Sequence, residues 1–173
     1  MGFWASIVSI IFAVISGLAA ILNVWFVFKN DKLSQASEVS IWPDKSGFSK
    51  KESNGENRFC NEYIINNSSD SPIYNMFVIQ HSNNDHSYNL DSLLEISSIP
   101  GFCDKYFEEI VPPGNFKITL DSNGAATGNE HDVASILFTD SKGTQWFRHA
   151  NGTLEKKQYI GVLRQKGFLL KHV

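Results

Sequence analysis

An uncharged and predominantly apolar run opens the chain at Phe3 and continues to Phe28, where Lys29 ends it. At about 1.5 Å per residue, a helix over this run is about 39 Å long. The hydrocarbon core of a bilayer is about 30 Å thick. The pattern therefore predicts a tilted transmembrane helix over residues 3–28.

A cleaved signal peptide is the main alternative for this run. Signal peptides have a basic n-region and an apolar core of about 7–15 residues before a small-residue cleavage site. Only Met1 and Gly2 precede the run, and the run is longer than such a core. A buried helix of a soluble protein is disfavoured because it normally has a polar face. An uncleaved anchor fits best.

After residue 36 the pattern changes to short alternations of apolar and polar residues between turn-forming clusters. Such spacing predicts an all-β domain. We expect an immunoglobulin-like sandwich, with a small barrel as second choice. Residues 45–57 read as a loop, and 91–99 as a short helix or an edge strand. The expected strands lie around 39–41 and at 58–66, 73–80, 105–111, 116–120, 133–139, 144–149 and 153–156.

These patterns divide the chain into four parts. A transmembrane helix (3–28) is followed by a juxtamembrane linker (29–35), a β-sandwich domain (36–156) and a C-terminal tail (157–173). The tail mixes basic and apolar residues, as in segments that lie on anionic membranes. Alternatively, it packs on the domain as a last strand or helix.

One face of the predicted helix carries small residues. Ala5, Ser9, Ala13 and Gly17 recur every four positions and stack on one side. Small side chains allow two membrane helices to approach closely, and a polar amide such as Asn23 forms hydrogen bonds between helices. We expect the helix to self-associate into a homo-oligomer within membrane lipid.

The ends of the helix carry residues typical of a membrane interface. Trp4 and Trp25 would lie roughly 31 Å apart along a helix, which matches the spacing of the two interfaces. Lys29 and Lys32 follow the run, whereas no Lys or Arg precedes it. The end of a transmembrane helix that is flanked by more Lys and Arg residues usually faces the cytoplasm. The chain is thus expected in the plasma (inner) membrane as a single-pass protein, with its C-terminal domain cytoplasmic.

Charge argues against nucleic acid as the main partner. The net charge is −3, and residues from Glu155 onward contribute +4, so the remainder carries −7. An acidic body does not match the basic surface that phosphate backbones require. Cys60 and Cys103 are too few and too widely spaced to indicate a disulfide framework, although a single bridge stays open.

Candidate chemistry is sparse, and we expect no cofactor, no metal and no enzymatic activity. His81 and His86 lack the spacing of a closed metal site. His131 and Asp132 resemble half of a relay, but no nucleophile elbow is present. Trp146 and Arg148 share a strand face. They form either a binding surface that stacks on a ligand and holds an anion, or a packed pair at the sandwich rim.

Three segments carry a resemblance to known proteins. Residues 66–75 (NNSSDSPIYN) resemble the passage between the second and third strands of bacterial immunoglobulin-like domains, and Pro112-Pro113-Gly114 resembles one of their turns. Residues 138–148 (FTDSKGTQWFR) look like the closing hairpin of uncharacterised bacterial single-pass membrane proteins. The resemblance covers roughly residues 36–156 and implies an immunoglobulin-like fold without a specific activity.

Two functions follow as expectations. The first is a membrane-anchored, non-enzymatic interaction module whose sandwich binds an unknown protein partner at the inner membrane face. The alternative follows from a likeness in layout to membrane-anchored β-barrel effectors of bacterial cyclic-oligonucleotide anti-phage systems. It is a ligand-triggered effector that perturbs the membrane in antiviral defence. Toxicity that depends on the helix would favour this alternative.

Overall fold

The computed structural model describes most of the chain: residues 2–44, 49–53, 56–84, 90–95, 103–122 and 131–168. Side chains at 5, 28–34, 49–53, 56–58 and 95 lie outside this description. The chain divides into two compact units, 1–34 and 35–173.

The first element is one long helix, α1 (Gly2–Ser37). Its stretch Gly2–Val27 is long and apolar enough to cross a membrane by length and composition, and its side chains are exposed. The helix continues through 29–35, which the sequence pattern assigned to a linker. Residues 29–37 contain neither glycine nor proline, so no residue there interrupts helical hydrogen bonding.

The second unit is an all-β domain with two short helices, α2 (Leu90–Glu95) and α3 (Ile160–Gln165). The prediction of a helix followed by an all-β domain is confirmed. Within the described ranges the strands are β1 (Val39–Pro43), β2 (Ser49–Ser53), β3 (Glu56–Asn67), β4 (Ile73–Ser82), β5 (Lys105–Val111), β6 (Gly114–Ser122), β7 (Asp132–Thr139), β8 (Gln145–Arg148) and β9 (Leu154–Lys156).

The strands form two antiparallel sheets. In the first sheet, the long strand β3 pairs with β6 along one edge and with β1 and β2, one after the other, along its opposite edge. The second sheet has the order β5-β4-β7-β8-β9. The segment 73–80 is apolar on both faces, which is typical of a central strand, and β4 has a neighbour on each side.

The main core lies between the two sheets. Alternate residues of each strand point inward, and branched and aromatic side chains from both sheets meet there. The first sheet contributes Tyr63 and Ile65, and the second contributes Ile136, Phe138 and Trp146, all at most 1% exposed. Burial of these large apolar groups is the principal source of stability for the sandwich.

A second core covers the outer face of the five-stranded sheet. Phe77 and Phe147 point to this side, where Leu93 of α2 and Leu163 of α3 pack against them. Tyr159, which precedes α3, is fully buried here. The described part of the tail, 157–168, therefore uses its apolar side chains within the domain, as the packed alternative for this segment anticipated.

Two details differ from the sequence pattern. The predicted loop 45–57 contains β2, a polar strand held by backbone pairing to β3, so no apolar alternation marks it. The spacing of Phe59, Tyr63 and Ile65 predicts that all three lie on one face of the strand, yet Phe59 is 51% exposed. It pairs with Ser122 near the end of β6, beyond the last buried core residue of that strand, Leu120.

Candidate functional site

The residues of the predicted association face are accessible where their side chains are described. Ser9, Ala13 and Gly17 are exposed on α1, and the side chain of Ala5 lies outside the description. The Asn23 amide is exposed and forms no hydrogen bond with any described residue. An exposed amide within an apolar helix leaves two donors and an acceptor for a neighbouring helix.

The predicted interface residues occupy both ends of the apolar stretch. Trp4 and Trp25 are exposed, and each ring packs edge to face on a neighbouring phenylalanine, Phe3 or Phe26. The backbones of Lys29 and Lys32 are helical, whereas their side chains lie outside the description. The depth and orientation of the helix thus remain predictions.

Trp146 and Arg148 do not form an open binding surface, which corrects the first of the two interpretations above. Trp146 is 1% exposed, and its indole Nε1 donates to Asp140 Oδ2 at 2.8 Å. Arg148 is half-buried, and its described acceptors are backbone carbonyls. An indole enclosed between two sheets has no free face on which a ligand could stack.

The last turn of α1 belongs to the β-domain unit and is held there by Gln35. The amide Nε2 of Gln35 donates to the carbonyls of Ser71 and Pro72, each at 3.1 Å. Its Oε1 accepts from the backbone N–H and the hydroxyl of Ser141 at 2.9 and 2.7 Å. Ala36 is fully buried in the main core. This turn is therefore a structural part of the sandwich.

Arg148 binds the carbonyl groups at the end of this turn. Its Nη2 donates to the carbonyls of Ala36 and Ser37 at 2.9 and 3.2 Å, and Nη1 donates to Gly152 O at 3.1 Å. The final carbonyls of a helix lack partners within the helix, and a positive charge there complements the helix dipole. Burial lowers the pKa of Arg148. We call Gln35, Ala36, Ser37, Ser141 and Arg148 the helix-end site.

A second polar group lies at the opposite end of the sandwich, where β3 begins and β6 ends. Its centre is Asp132, whose Oδ2 accepts from Ser122 Oγ at 2.6 Å, Asn61 Nδ2 at 2.9 Å and Gln80 Nε2 at 3.2 Å. Gln80 Nε2 also donates to the carbonyl of Asp121 at 2.7 Å. These bonds join β3 and β6 of one sheet to β4 and β7 of the other.

Tyr63 lies beneath this group and is fully buried. Its hydroxyl has no hydrogen-bond partner among the residues that the structure describes. Burial, and then the negative charge of Asp132, raises the pKa of the Tyr63 hydroxyl, and the nearby amide of Asn61 lowers it by a smaller amount. We call Asn61, Tyr63, Gln80, Ser122 and Asp132 the Asp132 cluster.

Removing the Tyr63 hydroxyl tests whether it lacks a hydrogen-bond partner. Tyr63→Phe deletes a buried polar atom that lacks a partner, so we expect stability to stay unchanged or to rise by up to about 1 kcal/mol. Tyr159→Phe is the matched change. The Tyr159 hydroxyl donates to Asn75 O at 2.7 Å and lies 3.0 Å from Thr139 Oγ1, so its loss is expected to cost about 2 kcal/mol.

Thermal and urea unfolding of the full chain in detergent micelles measures both changes. If Tyr63→Phe lowered stability as much as Tyr159→Phe does, the Tyr63 hydroxyl would have to form a hydrogen bond, contrary to the structure.

The histidine candidates have structural roles. His81 Nε2 lies 3.0 Å from Ser135 Oγ in the buried layer, and His86 falls outside the described residues. His131 is exposed, and its backbone N–H donates to Asn83 Oδ1, while Asp132 bonds to amide and hydroxyl donors. Across the described ranges, no three His, Cys, Asp or Glu side chains come together as metal ligands.

Sequence reasoning missed Gln35, Ser141 and the Asp132 cluster. Gln35 and Ser141 are 106 residues apart in the chain, and Asn61 and Asp132 are 71 apart. Each is an ordinary polar residue in its local context, so no spacing rule identifies it. A sequence signal existed for one part only, because Asp140-Ser141-Lys142-Gly143 reads as a turn.

No protein-family model matches this chain, and no curated protein sequence matches it.

Proposed function

We propose that this protein is a membrane-anchored, non-enzymatic interaction module. In this proposal α1 spans the plasma membrane once, and the β domain binds a protein partner at the cytoplasmic face. The observation that carries the proposal is the helix-end site. An exposed apolar helix is followed by a turn, Gln35–Ser37, whose carbonyls and side chains are bonded within the sandwich.

Such a connection suits a protein that presents its domain at a membrane surface. Only eight residues lead from Val27 to Gln35, and even a fully extended chain of that length spans no more than about 28 Å, so the domain stays close to the membrane in this proposal. Lys29 and Lys32 in this segment support a cytoplasmic domain through the preference of basic flanks for the inner face.

The two cysteines provide a test of orientation. Cys103 is exposed and Cys60 is fully buried, so a maleimide reacts with the folded chain at Cys103. We expect a membrane-impermeant maleimide to leave Cys103 unmodified in intact cells and to modify it after the membrane is permeabilised. Cys103→Ser is the control and should abolish the labelling. Labelling in intact cells would place the domain outside and overturn this part of the proposal.

Self-association of the helix is a separate part of the proposal. A Cβ built on Gly17 meets no atom of the same chain within 4 Å, so a larger side chain there is accommodated in a single helix. We expect the double change Ala13→Ile and Gly17→Ile to lower association in a transmembrane-helix association assay by about tenfold, because it separates the two backbones.

The matched control lies on the other side of the helix. Ala19 follows Gly17 by two positions, about 200° around the axis. Ala19→Ile adds an isoleucine on that other side and is expected to leave association unchanged. If both variants self-associated as strongly as the unmodified helix, self-association would be removed from the proposal.

A further inference from the structure

Strand β5 is an edge strand of the five-stranded sheet and pairs with one described neighbour, β4. Directly before β5 begins, the backbone N–H of Gln80 donates to the carbonyl of Asp104 at 2.9 Å. Alternate residues of an antiparallel strand direct their N–H and C=O groups toward the neighbouring strand. Asp104 and Tyr106 therefore direct these groups toward β4, whereas Phe107 and Glu109 direct theirs away from it.

The outward backbone groups of Phe107 and Glu109 have no hydrogen-bond partner among the residues that the structure describes. Both residues are half-buried, so the edge is partly open to solvent. Two residues at positions i and i+2 with unpaired N–H and C=O groups form a template on which an extended chain can add as a further strand.

The other described edge strands carry features that discourage such pairing. β9 has three residues, β1 ends at Pro43, β2 contains Lys50 and Lys51, and β6 contains Lys117. Short length, proline and lysine are means by which natural sheets protect their edges. β5 has seven residues and no proline, and its single lysine stands at its first position. The edge of β5 is thus the one best suited to pair with another chain.

The charge of β5 selects the kind of strand that it accepts. Glu108 and Glu109 stand in its middle, and within the described ranges neither forms an ion pair with a lysine, arginine or histidine. The Tyr106 hydroxyl, a neutral donor, bonds to Glu108 Oε2 at 2.7 Å. Opposite charges on neighbouring strands attract, whereas like charges directly opposite each other are destabilising. Basic side chains are therefore favoured, and a second copy of β5 is disfavoured.

We propose that the outer edge of β5 binds an extended, basic segment of a protein partner as a further strand of the five-stranded sheet. The backbone groups of Phe107 and Glu109 bond to the segment, and its basic side chains lie beside Glu108 and Glu109. Its apolar side chains cover Ile110, which is 52% exposed. The proposal rests on the proposed role as a partner-binding module and names the class of segment that the module recognises.

The test uses the full chain in detergent micelles and a seven-residue amidated peptide in which lysine and valine alternate. Amide hydrogen exchange is followed by nuclear magnetic resonance while the peptide is titrated. At a peptide concentration of about ten times its Kd, we expect exchange at Phe107 and Glu109 to slow about tenfold, because both N–H groups become bonded. The Tyr106 amide already points to β4 and is expected to change little.

Two further peptides separate backbone pairing from charge. The same lysine–valine peptide, N-methylated at its three central residues, keeps its charge but loses N–H donors on both of its edges. It should not protect Phe107 and Glu109. A peptide with glutamate in place of each lysine keeps the backbone donors and reverses the charge, so we expect it to bind at least about tenfold more weakly.

Variants of the chain test the role of the two carboxylates. The double change Glu108→Gln and Glu109→Gln removes both charges and keeps an acceptor for the Tyr106 hydroxyl. We expect it to weaken the lysine–valine peptide about tenfold. Glu62→Gln on β3, in the other sheet, is the matched control and should change affinity by less than about twofold. The N-methylated peptide remains informative if the double variant fails to fold.

Three results would overturn the proposal. The first is exchange at Phe107 and Glu109 that the lysine–valine peptide does not slow. The second is equal binding of the glutamate peptide, which would exclude selection by charge. The third is slow exchange at these amides that depends on protein concentration without peptide, which would assign the edge to a second copy. None of these results bears on maleimide labelling or helix association, so failure here is distinguishable from failure of the anchored module.

Discussion

Replacing Asp140 with alanine is expected to destabilise the β domain by about 3 kcal/mol or more. The carboxylate is 2% exposed and accepts three bonds. Its Oδ1 accepts from the backbone N–H groups of Lys142 and Thr144 at 2.9 and 2.8 Å, and its Oδ2 accepts from Trp146 Nε1. Alanine leaves the buried indole N–H of Trp146 without an acceptor and removes the acceptor of two backbone N–H groups in the partly buried turn. Thermal and urea unfolding of the full chain in micelles measures the loss.

Two controls make this prediction specific. Asp140→Asn retains an acceptor for the two backbone donors but loses the acceptor for Trp146, so we expect about half of the alanine effect. Asp70→Ala changes an exposed carboxylate on another turn and should stay within about 0.5 kcal/mol of the unmodified chain. Equal effects of Asp140→Ala and Asp70→Ala would show that the Asp140 bonds contribute no stability.

Replacing Arg148 with methionine is expected to cost about 2–3 kcal/mol. Methionine keeps much of the aliphatic stem and removes the donors to Ala36, Ser37 and Gly152. The helix-end carbonyls then lose both their partner and the positive charge that complements the helix dipole. We expect the thermal midpoint to fall and the amide protons of residues 35–38 to exchange faster.

Arg164→Met is the matched control for this change. Arg164 is exposed on α3, and its side chain forms no hydrogen bond or ion pair with any described residue. Its replacement should alter stability by less than about 0.5 kcal/mol. If Arg148→Met left the exchange rates of residues 35–38 unchanged, the guanidinium would not be what holds the turn.

Much of the fold could be predicted because its strands carry the period-two pattern of a half-buried sheet. Phe116, Ile118 and Leu120 alternate with polar neighbours and became β6, and the doubly apolar segment 73–80 became the inner strand β4. The polar strand β2 could not be predicted in this way. Its pairing depends on backbone hydrogen bonds to β3, and these leave no signature in side-chain polarity.

The roles of the candidate site residues, in contrast, depend on their tertiary surroundings more than on the sequence pattern. Trp146 and Arg148 were singled out because both residue types bind ligands well, yet their roles follow from what surrounds them. Trp146 lies between two sheets beside Asp140, and Arg148 lies against the carbonyls that end α1. A strand pattern indicates that two side chains share a face, but not whether that face meets a core, a helix end or solvent.

The sequence by itself determined that a helix long and apolar enough to span a bilayer precedes a β-rich domain. Length, hydrophobicity and alternation are local properties of the chain, and they require no knowledge of contacts. Only the tertiary structure decided that Gln35–Ser37 belongs to the domain and that Asp132 is shared by both sheets. Those bonds join residues far apart in the chain, so the packing of the two sheets determines which donors and acceptors meet.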